Sequence, residues 1–183
     1  MRNGLHEAAG EALRRRGVRV EDVVRVACDI ARERRPQVTF AECRTHLEKV
    51  LEKREVLYAI LTGVVLDELA EAGTLPEPLQ EAIASDLPLY GIDEILATSI
   101  TNIYGAVSLT RFGYLDKKKP GVVGDLNRHR NGRVHTFMDD LVAALVAATL
   151  ARMEHSAQKG AGRLTKPEVT ADAQEGLPPA ASG

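Results

Sequence analysis

Thr136-Phe137-Met138-Asp139-Asp140-Leu141-Val142-Ala143-Ala144-Leu145-Val146-Ala147-Ala148-Thr149-Leu150-Ala151 decides the architecture. From Leu141 to Ala151 no charge interrupts the run. A membrane span needs roughly 20 apolar residues, and this stretch falls well short, so it reads as a buried helix. Its abundant alanine lets neighbouring helix axes approach closely. Aromatics make up only 4% of the chain and Trp is absent, so Ala, Leu, Val and Ile must build the core. The expected fold is all-α. Two adjacent acids, Asp139 and Asp140, stand at the mouth of this central helix.

Six further helices are predicted upstream. The first spans about Leu5 to Arg16 and stops at Gly17, and the second spans about Glu21 to Arg34 and is closed by Pro36. Thr39 and Glu42 form a T-x-x-E capping box that opens a third. From Val56 to Leu69 the apolar face is wide and contains Gly63, the mark of a central helix. Pro76 and Pro78 start a short helix through about Ala84. Leu96, Ile100, Ile103 and Val107 then form one helical stripe from Asp93 to Gly113. Pro120, Gly121, Gly124 and Asn131-Gly132 mark a loop, after which Thr136 begins the final helix through about His155. The expectation is therefore a compact bundle of about six or seven helices over 1–156. A tail over 157–183, without apolar periodicity, is expected to be disordered because it cannot offset its ordering entropy.

A net charge of −2 provides no global field for nucleic acid, and no such partner is expected. Between Arg111 and Arg133, however, seven Lys/Arg face two Asp. Cys28 and Cys43 lack metal-ligand spacing, and the N-terminus lacks a signal-type apolar stretch, so buried free thiols in a cytoplasmic protein are expected.

The chemistry-bearing residues fall between Asp93 and Asp140: the Asp93-Glu94 pair, Asp116, Lys117-Lys118-Lys119-Pro120, and the Asp139-Asp140 pair. Singly, each has a structural use. Asp93 suits an N-cap, Asp139 can close a capping box with Thr136, and the lysines can be solvated. Together, two acid-bearing helix starts and one loop acid can converge on a hard cation such as Mg²⁺, which takes oxygen ligands. A nearby Lys would neutralise a phosphate as a point charge. That inventory suits metal-assisted phosphoryl chemistry.

In this order and context the acids resemble those of the phosphatidylglycerophosphatase A family, over Tyr90 to about His155. Thr101-Asn102-Ile103-Tyr104-Gly105, Phe112-Gly113-Tyr114-Leu115-Asp116-Lys117 and His135-Thr136-Phe137-Met138-Asp139-Asp140 are similar to its soluble branch, the low-temperature-requirement C type, whose pattern extends from about Val20. The resemblance implies an all-helical, Mg²⁺-dependent phosphatase acting on phosphatidylglycerophosphate. It assigns Asp93, Glu94, Asp139 and Asp140 to the metal, Asp116, Asp139 and Asp140 to catalysis, and Lys119 to the substrate phosphate. The nucleophile is either water or a carboxylate, and a metal-bound water with one of these acids as base is the simpler proposal. The Ala-Pro-Gly-Thr motif and the membrane spans of membrane-bound members do not occur here. A phospholipid substrate would thus require peripheral contact with the inner membrane face, through the basic stretch Lys117 to Arg133. The alternatives are a soluble phosphomonoester substrate, or a helical regulatory module without catalysis.

A second acidic pattern, Glu52-x-x-Glu55 and Glu68-x-x-Glu71, resembles the Mg²⁺ helices of all-α nucleotide pyrophosphohydrolases but reads better as solvated helix surface. His135 could assist proton transfer, although packing at the helix start is the plainer use. Tyr90 and Tyr104 read as packing residues. Thr101 and Asn102 are candidates to hydrogen-bond the site, and Thr62, Gly63 and Asp67 are candidates for the cleft wall. Gly105/Ser108 and Ala143/Ala147 offer small-residue faces for intrachain packing or a homodimer.

Overall fold

The computed structural model describes residues 2–128 and 132–164. Among these every regular element is a helix, with no strand. The helices are α1 (Arg2–Arg15), α2 (Val20–Arg34), α3 (Phe40–Leu51), α4 (Arg54–Glu71), α5 (Leu79–Ala84), α6 (Ile92–Asn102), α7 (Ala106–Lys118), α8 (Val122–Asn127) and α9 (Met138–Leu164). None is long and apolar enough to cross a membrane.

The quoted stretch is the axis of the molecule. Every residue from Val134 to Ala151 is buried. α2, α3, α4, α6, α7 and α8 all pack against α9, which accounts for its apolar character on every side. Ala143 and Ala147 are fully buried within this packing, and Ser108 on α7 is buried too, so these small residues serve intrachain contact. Cys28 and Cys43 are both free and buried in the same core, as expected.

Gly63 lets α4 approach α9 closely. A Cβ there would lie 2.5 Å from Leu141 Cδ1 and 2.9 Å from Phe137 Cβ. One turn later on the same face, the buried Asp67 accepts hydrogen bonds from the backbone N–H groups of Phe137 and Met138, both at 3.1 Å. These donors would otherwise be orphaned at the start of α9. α4 thus both packs against α9 and caps it.

Several predicted features need correction. The single helix from Asp93 to Gly113 is two helices. Gly105 (φ 79, ψ −171) adopts a conformation only glycine takes easily, and the chain turns there. Leu96 and Ile100 stay on the inner side, whereas Ile103 and Val107 are exposed. Gly113 lies inside α7 rather than at its end, and Asp116, Lys117 and Lys118 are helical rather than in a loop. The Pro120–Gly124 segment contributes the short α8. These two changes raise the helix count to nine among the described residues. Thr39 caps α3 through the Glu42 N–H at 3.1 Å, as its motif implies. α9 starts at Met138 and reaches Leu164, past the expected domain end at 156. The tail expected to be disordered lies beyond 164, outside the described residues.

Candidate active site

α7 and α9 meet α6 at a cleft of about 460 Å³. Asp93, Glu94, Asp116, Lys119, Asp139 and Asp140, the whole set singled out in the sequence, line it together. Each arrives by a separate local device. Asp93 and Glu94 sit in the first turn of α6, where negative charge complements the helix dipole. The N-cap there is the left-handed Gly91, so Asp93 is not the cap the sequence suggested. Asp139 and Asp140 occupy the first turn of α9. They are free to face the cleft because Asp67 does the capping. Thr136 does not form the expected box with Asp139. Its hydroxyl instead donates to the Ile83 carbonyl at 2.6 Å.

Lys119 is the hub. It terminates α7 in the left-handed conformation (φ 47, ψ 56), which sends the side chain back toward the acids. Its ammonium donates to Asp116 Oδ1 at 2.6 Å and Asp139 Oδ2 at 2.8 Å, and lies 3.5 Å from Asp140 Oδ1. Gly124 holds this turn down: a Cβ there would lie 2.4 Å from the Lys119 carbonyl oxygen. Burial alone would lower the Lys119 pKa, but Asp139, Asp116 and Asp140 outweigh it and raise it, so the ammonium is firmly protonated.

The acids are under the opposite pressure. Burial pushes Asp93, Asp139 and Asp140 above the usual aspartate range, and Asp140 is raised further by Asp139 beside it. Among the described residues, no three acidic, His or Cys side chains are already set as a ligand group, and Lys119 stands between three of the acids. Even so, one ammonium faces four aspartates, and Asp93 Oδ1 is buried without a hydrogen-bond partner among the described residues. This surplus of hard oxygen donors fits a divalent cation such as Mg²⁺.

The remaining candidates fall outside the cleft. Arg16 Nη2 contacts His135 Nδ1 at 3.3 Å, and His135 opens on a separate groove beside α2 and α8, so its structural use stands and a proton-transfer role does not. Tyr90 lines the cleft but packs edge-on against Phe137, with ring centroids 6.0 Å apart. Tyr104 and Thr101 are buried away from the cleft, and Asn102 is exposed. Thr62 does not line it, and Gly63 and Asp67 act from beneath it through α9. The second acidic pattern does not converge, because Glu52 pairs with Lys49, Glu68 with Arg15 and Glu71 with Arg16. Asp86 and Asn127, which the sequence did not mark, also line the cleft. Two larger grooves, of about 980 and 630 Å³, lie elsewhere. Neither gathers acids around a lysine, so chemistry rather than volume identifies the site.

An all-helical fold with a lysine-centred, acid-lined cleft defines a candidate phosphate-handling protein. Residues 30–155 match the family model of phosphatidylglycerophosphatase A, and the chain belongs to that family. The uncharacterized protein YpjQ of Bacillus subtilis is 46% identical over 156 residues, covering 85% of this chain and 88% of YpjQ. The YpjQ crystal structure superposes with a TM-score of 0.83 at 45% identity, over 87% of this chain and 98% of that one. The low temperature requirement C protein of Listeria monocytogenes also reaches a TM-score of 0.83, at 44% identity over 86% of this chain and 99% of its own. The resemblance to the soluble branch therefore holds for fold and sequence alike.

Proposed function

We propose that the chain is a Mg²⁺-dependent phosphatase that hydrolyses phosphatidylglycerophosphate to phosphatidylglycerol and phosphate at the inner face of the membrane. The observation that carries this reading is the Lys119 ammonium, held among Asp116, Asp139 and Asp140 in a cleft shared with Asp93 and Glu94. The family match supports it.

Asp93, Glu94, Asp139 and Asp140 would hold Mg²⁺, which supplies charge that neutralises and polarises the phosphate. Lys119 binds a phosphate oxygen as a positioned point charge. Asp116 is the most open of the three acids around Lys119, with its side chain 31% exposed against 7% for Asp139 and 5% for Asp140. It is therefore assigned to take the proton from the attacking water. As the water oxygen bonds to phosphorus, the bond from phosphorus to the glycerol oxygen breaks, and Asp116 returns the proton it received to that oxygen, which leaves as the glycerol hydroxyl.

Two measurements test this reading. Mg²⁺ should raise the melting temperature of the native chain and leave Asp139→Asn/Asp140→Asn unmoved. An equal shift in both proteins places the metal elsewhere. Phosphate release should be faster from phosphatidylglycerophosphate than from glycerol phosphate. The reverse order makes a soluble phosphomonoester the substrate, and release from neither leaves the regulatory module.

A further inference from the structure

One side of the cleft carries a cluster of exposed apolar side chains amid its charged rim. Leu87, Leu89, Ile92 and Ile95 are all exposed within nine residues of chain, Leu89 at 102% and Ile95 at 63%. Leu87 and Leu89 line the cleft itself. Ile92 and Ile95, outside the cleft lining, stand three apart on α6 and so share one exposed face beside it. The Tyr90 N–H closes a turn onto the Leu87 carbonyl at 3.0 Å, with Pro88 and Leu89 at its corner. Leu89 takes φ 71 there, a position that favours glycine or asparagine. A large apolar residue thus sits where both backbone and solvent disfavour it, projecting from the mouth of the site.

Lys117 and Lys118, which lie in the chain between the cleft-lining Asp116 and Lys119, are exposed and make no ion pair among the described residues. The other described arginines of that basic stretch are engaged: Arg111 with Glu154, Arg128 with Asp125, and Arg133 with the Arg15 carbonyl. A projecting apolar tip beside free cations is the composition of an interfacial anchor, in which apolar side chains enter the headgroup boundary and lysines meet anionic headgroups.

We propose that Leu87 and Leu89 at the cleft and Ile92 and Ile95 beside it on α6, together with the exposed Lys117 and Lys118, dock the chain on a bilayer containing anionic lipid and seat the cleft at headgroup depth. The proposal rests on reading the cleft as a phospholipid phosphatase, and it explains how a chain with no membrane-spanning helix among the described residues reaches such a substrate. A protruding tip suits a deformable bilayer better than the flat, matched surface of a second copy. Asp86 and Glu94 stand on the same rim and oppose anionic lipid. The apolar cluster therefore supplies most of the binding, and the lysine pair sets the preference for charge.

The test is co-sedimentation of the full chain with vesicles of phosphatidylcholine, with and without phosphatidylglycerol. The native chain is expected to bind the anionic vesicles. Leu89→Ser/Ile95→Ser should lose about tenfold in binding at an unchanged melting temperature. Lys117→Gln/Lys118→Gln should lose several-fold on anionic vesicles only. No binding by the native chain overturns the proposal, as does equal binding by Leu89→Ser/Ile95→Ser. If that variant instead changes the solution mass while vesicle binding persists, the apolar cluster joins two copies and the proposal also falls. The readout is binding, not hydrolysis. Vesicle binding without phosphate release would sustain the docking surface and reject the phosphatase, whereas phosphate release from mixed micelles without vesicle binding would do the reverse.

Discussion

Lys119 holds a left-handed backbone conformation, which costs a non-glycine residue roughly 1–2 kcal/mol. The same geometry brings its ammonium to three carboxylates. Lys119→Met removes that charge without enlarging the side chain. Phosphate release should fall by about 100-fold or more, as for other positioned electrostatic donors, and loss of less than about threefold in kcat/KM would exclude Lys119 from the reaction. Asp67 supports a second prediction. Burial lifts its pKa to about 8 against the opposing influence of the Phe137 and Met138 N–H groups and Arg16. Because the folded value lies above the ordinary 3.8, its stabilising contribution is complete below that value and is lost as pH rises toward about 8. In urea unfolding, the native chain should lose ground to Asp67→Asn across that window and level off above it. A flat difference would mean Asp67 is already ionised through the whole range. The site acids were legible because each neighbours a helix start or a loop signal. The sequence places Asp67 no further than the cleft wall, because its capping partners, Phe137 and Met138, lie 70 and 71 positions along the chain, where no local pattern links them.

At the scale of elements, α4 and α9 meet through Gly63, and any side chain there must displace Phe137 Cβ, which is fixed to its backbone. Gly63→Ala should therefore destabilise the fold by about 1–3 kcal/mol, read as a lower urea midpoint at constant m-value. An unchanged midpoint would show that α9 can move away, which its burial from Val134 to Ala151 argues against. Helix existence was readable from apolar periodicity nearly throughout, but helix ends were less so. The stripe through Ile103 and Val107 kept its spacing across Gly105 although the backbone turned, because spacing reports which residues are apolar and not whether they are buried. α8 was invisible because Pro120, Gly121 and Gly124 are loop signals, whereas Gly124 is there to clear the Lys119 carbonyl.

Across the whole molecule, one buried axis organises both the core and the candidate site. α9 anchors the core along its length and presents Asp139 and Asp140 at its first turn, and α6 and α7 bring Asp93, Glu94, Asp116 and Lys119 to that same end. The central claim is that this end of the bundle cleaves a phosphate ester with a divalent cation. The most direct measurement is phosphate release from phosphatidylglycerophosphate in mixed micelles, with Mg²⁺ and with a chelator, for the native chain and Asp139→Asn/Asp140→Asn. Release by the native chain that needs Mg²⁺ and falls at least about 100-fold in the variant is the predicted result. Release that persists in the variant, or that ignores the chelator, would contradict it.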